Sequence, residues 1–555
     1  MARLALGRFF MANSEQTHVP RTVFFAYKVQ LTKSLYVYDS FKGASSMRTP
    51  SRRTHRTFIA AASLMALTFA VPALAQQVPP DVQSKIDAMQ AQIDAQQTQL
   101  NALKSQIATQ YNAPVAAPVT PAPAPVVAAA KPAAPTTTVS LKNGSPTLAS
   151  SDGAFTFNIK GLFQADAATY SQDDNLPAAV SARDLNSGTN IRRARIIFNG
   201  KMFSDFDYNL TFDFGGAGAE DVGRVHEAWV QYSGFKSAKF RVGEFGPSVG
   251  LADAGSQGGS PFLERASSAE IARNFAGGDT RMGVAAFNAK DRYLWSVALT
   301  GNTVSSLNTA ASGFNVINND EQFGVAARIA GTPYKSKNAL VHIGLNYSGI
   351  INPADTGAAA ATRYPVQLRD RPELRVDATR LVDSGALNAG SAAATGVEFG
   401  AQYKNLFLQS EAFDYKIERL NAATGVTDPK FTGWYVEGGW VLTGESRKYN
   451  TATAAFDGIT PAVNFDPKSG HWGAFELVAR YSTLDLNYHD TAALAADRVL
   501  GGQQDITALG LNWQLNPTVR FLFQGQSVKI DRLNSAGLQI GQDYTSFAVR
   551  SQFGF

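Results

Sequence analysis

Arg193 and Arg195 are separated by Ala194, and Ile196 and Phe198 carry the same alternation on toward Lys201. In an extended strand successive side chains point to opposite faces, so this pattern sends the three cations to one side and the three apolar residues to the other. Lys239 and Arg241 alternate with Phe240 and Val242 in the same way, and Arg480, Arg520 and Arg550 fall on the polar parity of their own segments. The stretch 247–277, which lacks strand alternation, supplies Arg265 and Arg273 against Asp253, Glu264 and Glu270. Fixed guanidinium and ammonium groups facing a narrow, partly desolvated space replace part of the hydration shell of a small anion. The competing arrangement is mutual neutralisation. Asp213, Glu227, Glu437 and Glu476 also occupy polar parity, and arginines paired with them make a neutral wall.

Other chemistry is poorly supported. There is no cysteine, which excludes disulfides and thiolate metal sites. His226, His342, His471 and His489 have no nucleophile motif beside them, and satisfied or solvated imidazoles are expected. Asp173-Asp174 lacks calcium-ligand spacing, and Gly215-Gly216 and Gly277-Gly278 sit at strand ends, where glycine serves turns. No catalytic residue, metal or cofactor is expected.

The elements that position the cations are strands. In Thr507–Leu515 the odd positions include Leu509, Leu511, Trp513 and Leu515, with Ala508, Gly510, Asn512 and Gln514 between them. Phe547, Val549, Phe553 and Phe555 repeat the pattern to the last residue. Apolar side chains held in register up to a free terminus, opposite a face that accepts charges, fit a membrane barrel with lipid outside and water inside. Phe555 is the expected assembly signal, read by the outer-membrane insertion machinery. Short connections near 204–205, 234–236, 288–291, 331–337, 404–405 and 516–517 alternate with long ones. A first count gives seventeen strands. Strict alternation of short and long connections removes 366–380, whose Arg-Asp-Arg-Pro-Glu-Leu-Arg run suits a loop. The expected fold is all-β: a 16-stranded antiparallel transmembrane β-barrel, with one long external loop at 350–394 and a 27-residue periplasmic connection at 444–470.

Upstream, Arg48, Arg52, Arg53 and Arg56 precede an apolar run over 58–71 and the small residues Ala73 and Ala75, an export signal cleaved before Gln76. Met47 is the better start, leaving 1–46 as an extension or mis-called start. Val82, Ile86, Met89, Ile93, Gln96, Leu100, Leu103 and Ile107 recur at alternating spacings of four and three, a heptad seam that predicts an α-helical coiled coil within 76–110. Residues 111–152 read as an Ala/Pro-rich linker, and the barrel as 153–555. Ten of the 50 Lys/Arg but two of the 45 Asp/Glu lie in residues 1–60, so the formal charge of +5 belongs to the leader. From Gln76 onward acids outnumber bases, which argues against a nucleic-acid partner.

Several runs resemble the phosphate-selective porin O and P family: Ile191-Arg-Arg-Ala-Arg-Ile, Gly200-Lys-Met-Phe-Ser-Asp-Phe-Asp-Tyr and Phe262-Leu-Glu-Arg. Further on come Gly433-Trp-Tyr-Val-Glu-Gly-Gly-Trp, Phe475-Glu-Leu-Val-Ala-Arg-Tyr and Leu509-Gly-Leu-Asn-Trp-Gln-Leu-Asn-Pro. The resemblance spans about residues 155–555. It implies a homotrimeric, sixteen-stranded channel in the Gram-negative outer membrane, embedded among its lipids, with a periplasmic coiled coil, taking up phosphate or related small anions. One departure concerns selectivity: family members that select phosphate carry lysines on the constriction loop, and 247–277 has none. A general or sugar diffusion pore, and a tether between outer membrane and cell wall, are the alternatives.

Overall fold

The computed structural model describes residues 137–172, 184–216, 223–275, 279–301, 322–353 and 365–555, together with residues 94, 95, 98, 99, 101 and 102, which are helical. The expected leader and export signal, most of the span expected as a coiled coil, the expected linker up to 136 and Asp173-Asp174 lie outside the described residues.

The chain enters through a hairpin of β1 (Thr137–Lys142) and β2 (Ser145–Ser150). Its turn, Asn143-Gly144, has positive φ at both residues, the two-residue geometry whose twist suits a hairpin. These residues fall inside the span expected as linker. The Thr-Thr-Val run and the Asn-Gly turn outweigh the Ala/Pro composition that precedes them.

Sixteen strands follow. They are β3 (Thr156–Gln172), β4 (Gly188–Met202), β5 (Phe206–Asp213), β6 (Arg224–Tyr232), β7 (Lys239–Phe245), β8 (Arg281–Ala289), β9 (Tyr293–Thr300), β10 (Phe323–Lys335) and β11 (Ala339–Asn352), and then, after two-residue strands β12 (Arg369–Asp370) and β13 (Val382–Asp383), β14 (Ala389–Tyr403), β15 (Leu406–Arg419) and β16 (Lys430–Val441). Two more short pieces, β17 (Tyr449–Asn450) and β18 (Ala455–Phe456), precede β19 (Ala474–Tyr488), β20 (Val499–Gln514), β21 (Val519–Asp531) and β22 (Tyr544–Gly554). Each barrel strand pairs antiparallel with the next, and β22 pairs back onto β3 from Tyr544↔Gln172 to Gly554↔Leu162, closing the barrel. Closure leaves no open sheet edge along the wall, the condition for a sheet to sit in lipid.

The alternation of connections holds. Both chain ends of the barrel lie with the short turns, and residues 366–380 do not cross: they belong to one connection between β11 and β14. The long connection 442–473, between β16 and β19, lies at the short-turn end.

The outer face is apolar and bounded by rings. Ile329, Leu345, Val397 and Leu509 are exposed there. A charge facing lipid at mid-depth costs roughly 2–4 kcal/mol, which explains the segregation. At the short-turn end Phe155 meets Phe203 at 4.9 Å and Phe475 stacks on Trp513 at 5.7 Å; toward the other end Trp434 packs on Tyr481 at 5.5 Å. These are amphipathic positions of the kind that form interfacial girdles.

The interior differs from a uniformly wet lumen. Helix Ser267–Asn274 and the segment 365–388 fold inward and bury Ile271, Ala272, Leu381 and Val382 against Tyr415, Ile417, Leu484, Ile506 and Val528 of the wall. The inward positions of β15–β21 are therefore apolar near the long-loop end, because protein and not water covers them.

Candidate functional site

Three inward-folded segments narrow the lumen. The first, between β7 and β8, carries the short helix Leu251–Ala254 and helix Ser267–Asn274, as expected for 247–277. The Glu411 carboxylate accepts from the Leu251 and Ala252 amides at 2.6 and 2.9 Å, and Tyr415 Oη donates to the Ser268 carbonyl at 2.6 Å. The second is 365–388. Its Glu373, held at positive φ, accepts from the Ser267 amide at 3.1 Å and from Ser482 Oγ at 2.6 Å, and pairs with Arg480. The third enters from the short-turn end. Arg328 donates to the Thr453 and Ala454 carbonyls at 2.7 and 2.9 Å, and Arg447 holds Glu476 in a two-pronged pair at 2.7 Å. His342 lies between Glu398 and Tyr449, at 3.1 and 2.7 Å, a fully satisfied buried imidazole.

Most arginines expected on the inner face are there, and most are paired. Arg195 Nε donates to Asp213 at 2.7 Å. Arg193 is buried, donating to Gln164 at 2.7 Å and lying 3.4 Å from Glu264. Arg480 sits over the Phe262 ring at 4.2 Å and pairs with Glu437 as well as Glu373. Arg550 pairs with Asp166 and Glu264. Arg241 lies 4.0 Å from the Trp229 ring centre and donates to Gln231, with no ion-pair partner among the described residues. Arg520 donates to the Ser260 carbonyl at 2.9 Å. Lys201, half-exposed, pairs with Asp207 at 2.9 Å near the short-turn end, and Lys239 is half-buried at the start of β7. On the loop, Arg273 meets Asp253, Asp279 and Glu270, while Arg265 donates to the Ala252 carbonyl at 3.0 Å.

Strand parity missed Arg192. A bulge shifts the β3–β4 register between Gln164↔Arg193 and Ala165↔Ile191, so Arg192 has no opposite number. A bulge re-aims one side chain, and here two successive arginines face inward. Arg192 grips Glu264 with Nε and Nη2 at 2.7 and 3.0 Å. Burial favours the neutral acid, but Arg192, Arg193 and Arg550 hold the Glu264 carboxyl well below the usual range. In the loop helix, burial is likewise outweighed by Arg273, Arg375 and Arg265, which keep Glu270 down at about 2.

Two cavities flank this constriction. The one toward the short turns, about 870 Å³, is lined by Lys160, Arg265 and Lys448 but also by Glu227, Asp253 and Asp457. The one toward the long loops, about 300 Å³, is lined by nine arginines against four acids. Arg195, Gln257, Arg273 and Asp279 line both, so the two spaces meet at these side chains. In the upper space Arg369, Arg371 and Arg380 have no ion-pair partner among the described residues. Burial and the neighbouring Arg375 and Arg380 push the Arg371 guanidinium down to about 10. All three come from 365–388; Arg369 and Arg371 belong to the Arg-Asp-Arg-Pro-Glu-Leu-Arg run, which parity used only to exclude a strand, and Arg380 lies five residues beyond it.

A closed sixteen-stranded barrel with an apolar exterior and a narrowed, charged interior defines a channel of the outer-membrane porin class. Residues 157–555 match the family described as phosphate-selective porin O and P, and the chain belongs to that family. Porin O of Pseudomonas aeruginosa is 26% identical over 434 residues, covering 74% of this chain and 91% of that protein. An uncharacterized protein of Caulobacter vibrioides is 28% identical over 383 residues, 68% of this chain and 69% of its own. Among solved structures, an anion-selective porin from Comamonas acidovorans aligns over 72% of this chain and all of its own, at 11% identity and a TM-score of 0.42.

Proposed function

We propose that this protein is a passive outer-membrane channel that favours small anions, phosphate or polyphosphate among them. The observation that carries the reading is the upper vestibule, where nine arginines face four acids and Arg369, Arg371 and Arg380 have no carboxylate partner among the described residues. In a narrow, partly desolvated space a few uncompensated charges weigh more than the net charge of the whole chain. Arg195 and Arg273 at the junction are held in place by acids and act as fixed walls of positive edge. A general diffusion pore is the second reading, favoured by the near balance of cations and acids in the lower cavity.

The short-turn end faces the periplasm in this proposal, the compartment to which the expected coiled coil also belongs. The working form is a homotrimer. Strands β5 to β9 have seven to nine residues, at or below the lower end of the roughly 9–11 that a tilted strand needs to cross a bilayer, which suits a wall shielded by neighbouring subunits. Replacing Arg369, Arg371 and Arg380 together with Gln tests the reading. Anion preference falls while the channel still conducts; unchanged selectivity places the preference elsewhere.

A further inference from the structure

The edge of β3 that closes the barrel is shared between two partners. β22 covers it from Gln172 to Leu162, and the Phe555 and Gly161 backbones extend the pairing by exchanging two hydrogen bonds of 3.1 Å. There the C-terminal strand ends. The next residues of the same edge, Thr156–Asn158, pair with β2 through Thr147↔Asn158, Leu148↔Phe157 and Ala149↔Thr156. Between the two, Ser145 Oγ donates to the Ile159 carbonyl at 2.8 Å, and Thr147 Oγ1 to Asn158 Oδ1 at 2.7 Å. The hairpin turn sits on the terminal residue: a side chain at Gly144 would come within 3.3 Å of Phe555 Cβ. The Phe555 ring in turn lies over Gly161, where a Cβ would be 2.6 Å from it.

We propose that the β1–β2 hairpin is a seam clasp, which occupies the stretch of β3 that β22 leaves bare and lids the C-terminal Phe555. An unpaired strand edge is a template for another strand, and the seam is the one joint in the wall made between the two ends of the chain. Docking the hairpin pairs that edge and covers part of the terminal residue in one event. If Phe555 is the residue that the insertion machinery holds, as expected above, docking of the hairpin also ends that hold; this consequence rests on that reading, while the clasp itself does not.

Carboxypeptidase release of Phe555 from the folded full-length protein tests the clasp. In the wild type, release is slow. Removing residues 137–150 accelerates it by about tenfold or more, since local opening then exposes the terminus, while the heat-modifiable gel mobility of the folded barrel persists. Gly144→Leu in the full chain, strained at φ +83 and crowded against Phe555, does the same and serves where the deletion fails to fold. The chain has no native cysteine, so a Leu148→Cys/Phe157→Cys pair, opposite one another in the β2–β3 register, locks the hairpin on oxidation and restores protection in Gly144→Leu. Equal release rates with the hairpin present, displaced and absent overturn the proposal. Failure of the insertion reading shows separately, as normal outer-membrane yield after deletion of Phe555.

Discussion

Arg550 and Asp166 face each other across the seam where the last strand meets the first. The guanidinium donates Nε and Nη2 to the two carboxylate oxygens at 2.6 and 2.7 Å, and Nη2 also reaches Glu264 on the constriction loop at 2.8 Å. One fully buried cation thus joins barrel closure to the position of the loop that narrows the lumen.

Breaking that pair is expected to be costly. Asp166→Asn removes one of the two acids on buried Arg550 and leaves Glu264, so the loss falls below the about 3–5 kcal/mol of a buried charge left wholly unpaired. The temperature at which the folded band converts to the unfolded one on a gel drops accordingly. A variant as heat-resistant as wild type would show that water replaces the lost charge.

Glu264 gathers Arg192, Arg193 and Arg550 onto the constriction loop. Glu264→Gln weakens three contacts without changing the barrel wall, so single-channel conductance becomes larger and noisier. A quiet channel of unchanged conductance would mean that the Leu251–Ala254 contacts with Glu411 hold the loop alone.

Asp370 lines the upper vestibule, 3.1 Å from Arg375. Burial, reinforced by Glu270 and opposed by Arg375, pushes its pKa up to about 6. The folded value lies above the ordinary one near ~3.9, so its contribution to stability is present below about pH 4 and lost as pH rises through about 6. Protonation also removes one negative charge from the vestibule. Anion preference therefore increases as pH falls from ~7.5 to ~5, with a midpoint near the Asp370 value. Asp370→Asn removes the pH response in that window; a response that survives the substitution belongs to another group.

Deleting Phe555 is expected to leave protein in the periplasm, with little barrel in the outer membrane. Gly161→Val, which forces the ring off its seat, reproduces part of the defect. Normal yield in both variants would remove Phe555 as the assembly signal.

Period-2 alternation made the barrel legible. The Tyr208, Leu210, Phe212 and Asn209, Thr211, Asp213 parities separate outward from inward, and the rule of alternating connections removed the false seventeenth strand. What alternation does not carry is what fills the barrel. Leu484, Leu486 and Ile506 point inward against a helix and a loop distant in sequence, and no local pattern announces that contact. Arg192 was hidden by a bulge, which breaks the parity on which the inference relied. Arg369, Arg371 and Arg380 lie in a segment with no regular period, so their convergence on one cavity depends on tertiary placement alone. The hairpin at 137–150 was masked by the composition of its neighbours, although Asn143-Gly144 is a recognisable turn.

The most direct measurement is the zero-current potential of the purified wild-type channel in a planar bilayer under a tenfold KCl gradient at neutral pH. An arginine-rich vestibule gives a potential of the sign set by chloride, short of the ideal ~59 mV for a perfectly selective pore at a tenfold ratio, and diminished when Arg369, Arg371 and Arg380 are replaced by Gln. A potential of the sign set by potassium would contradict it.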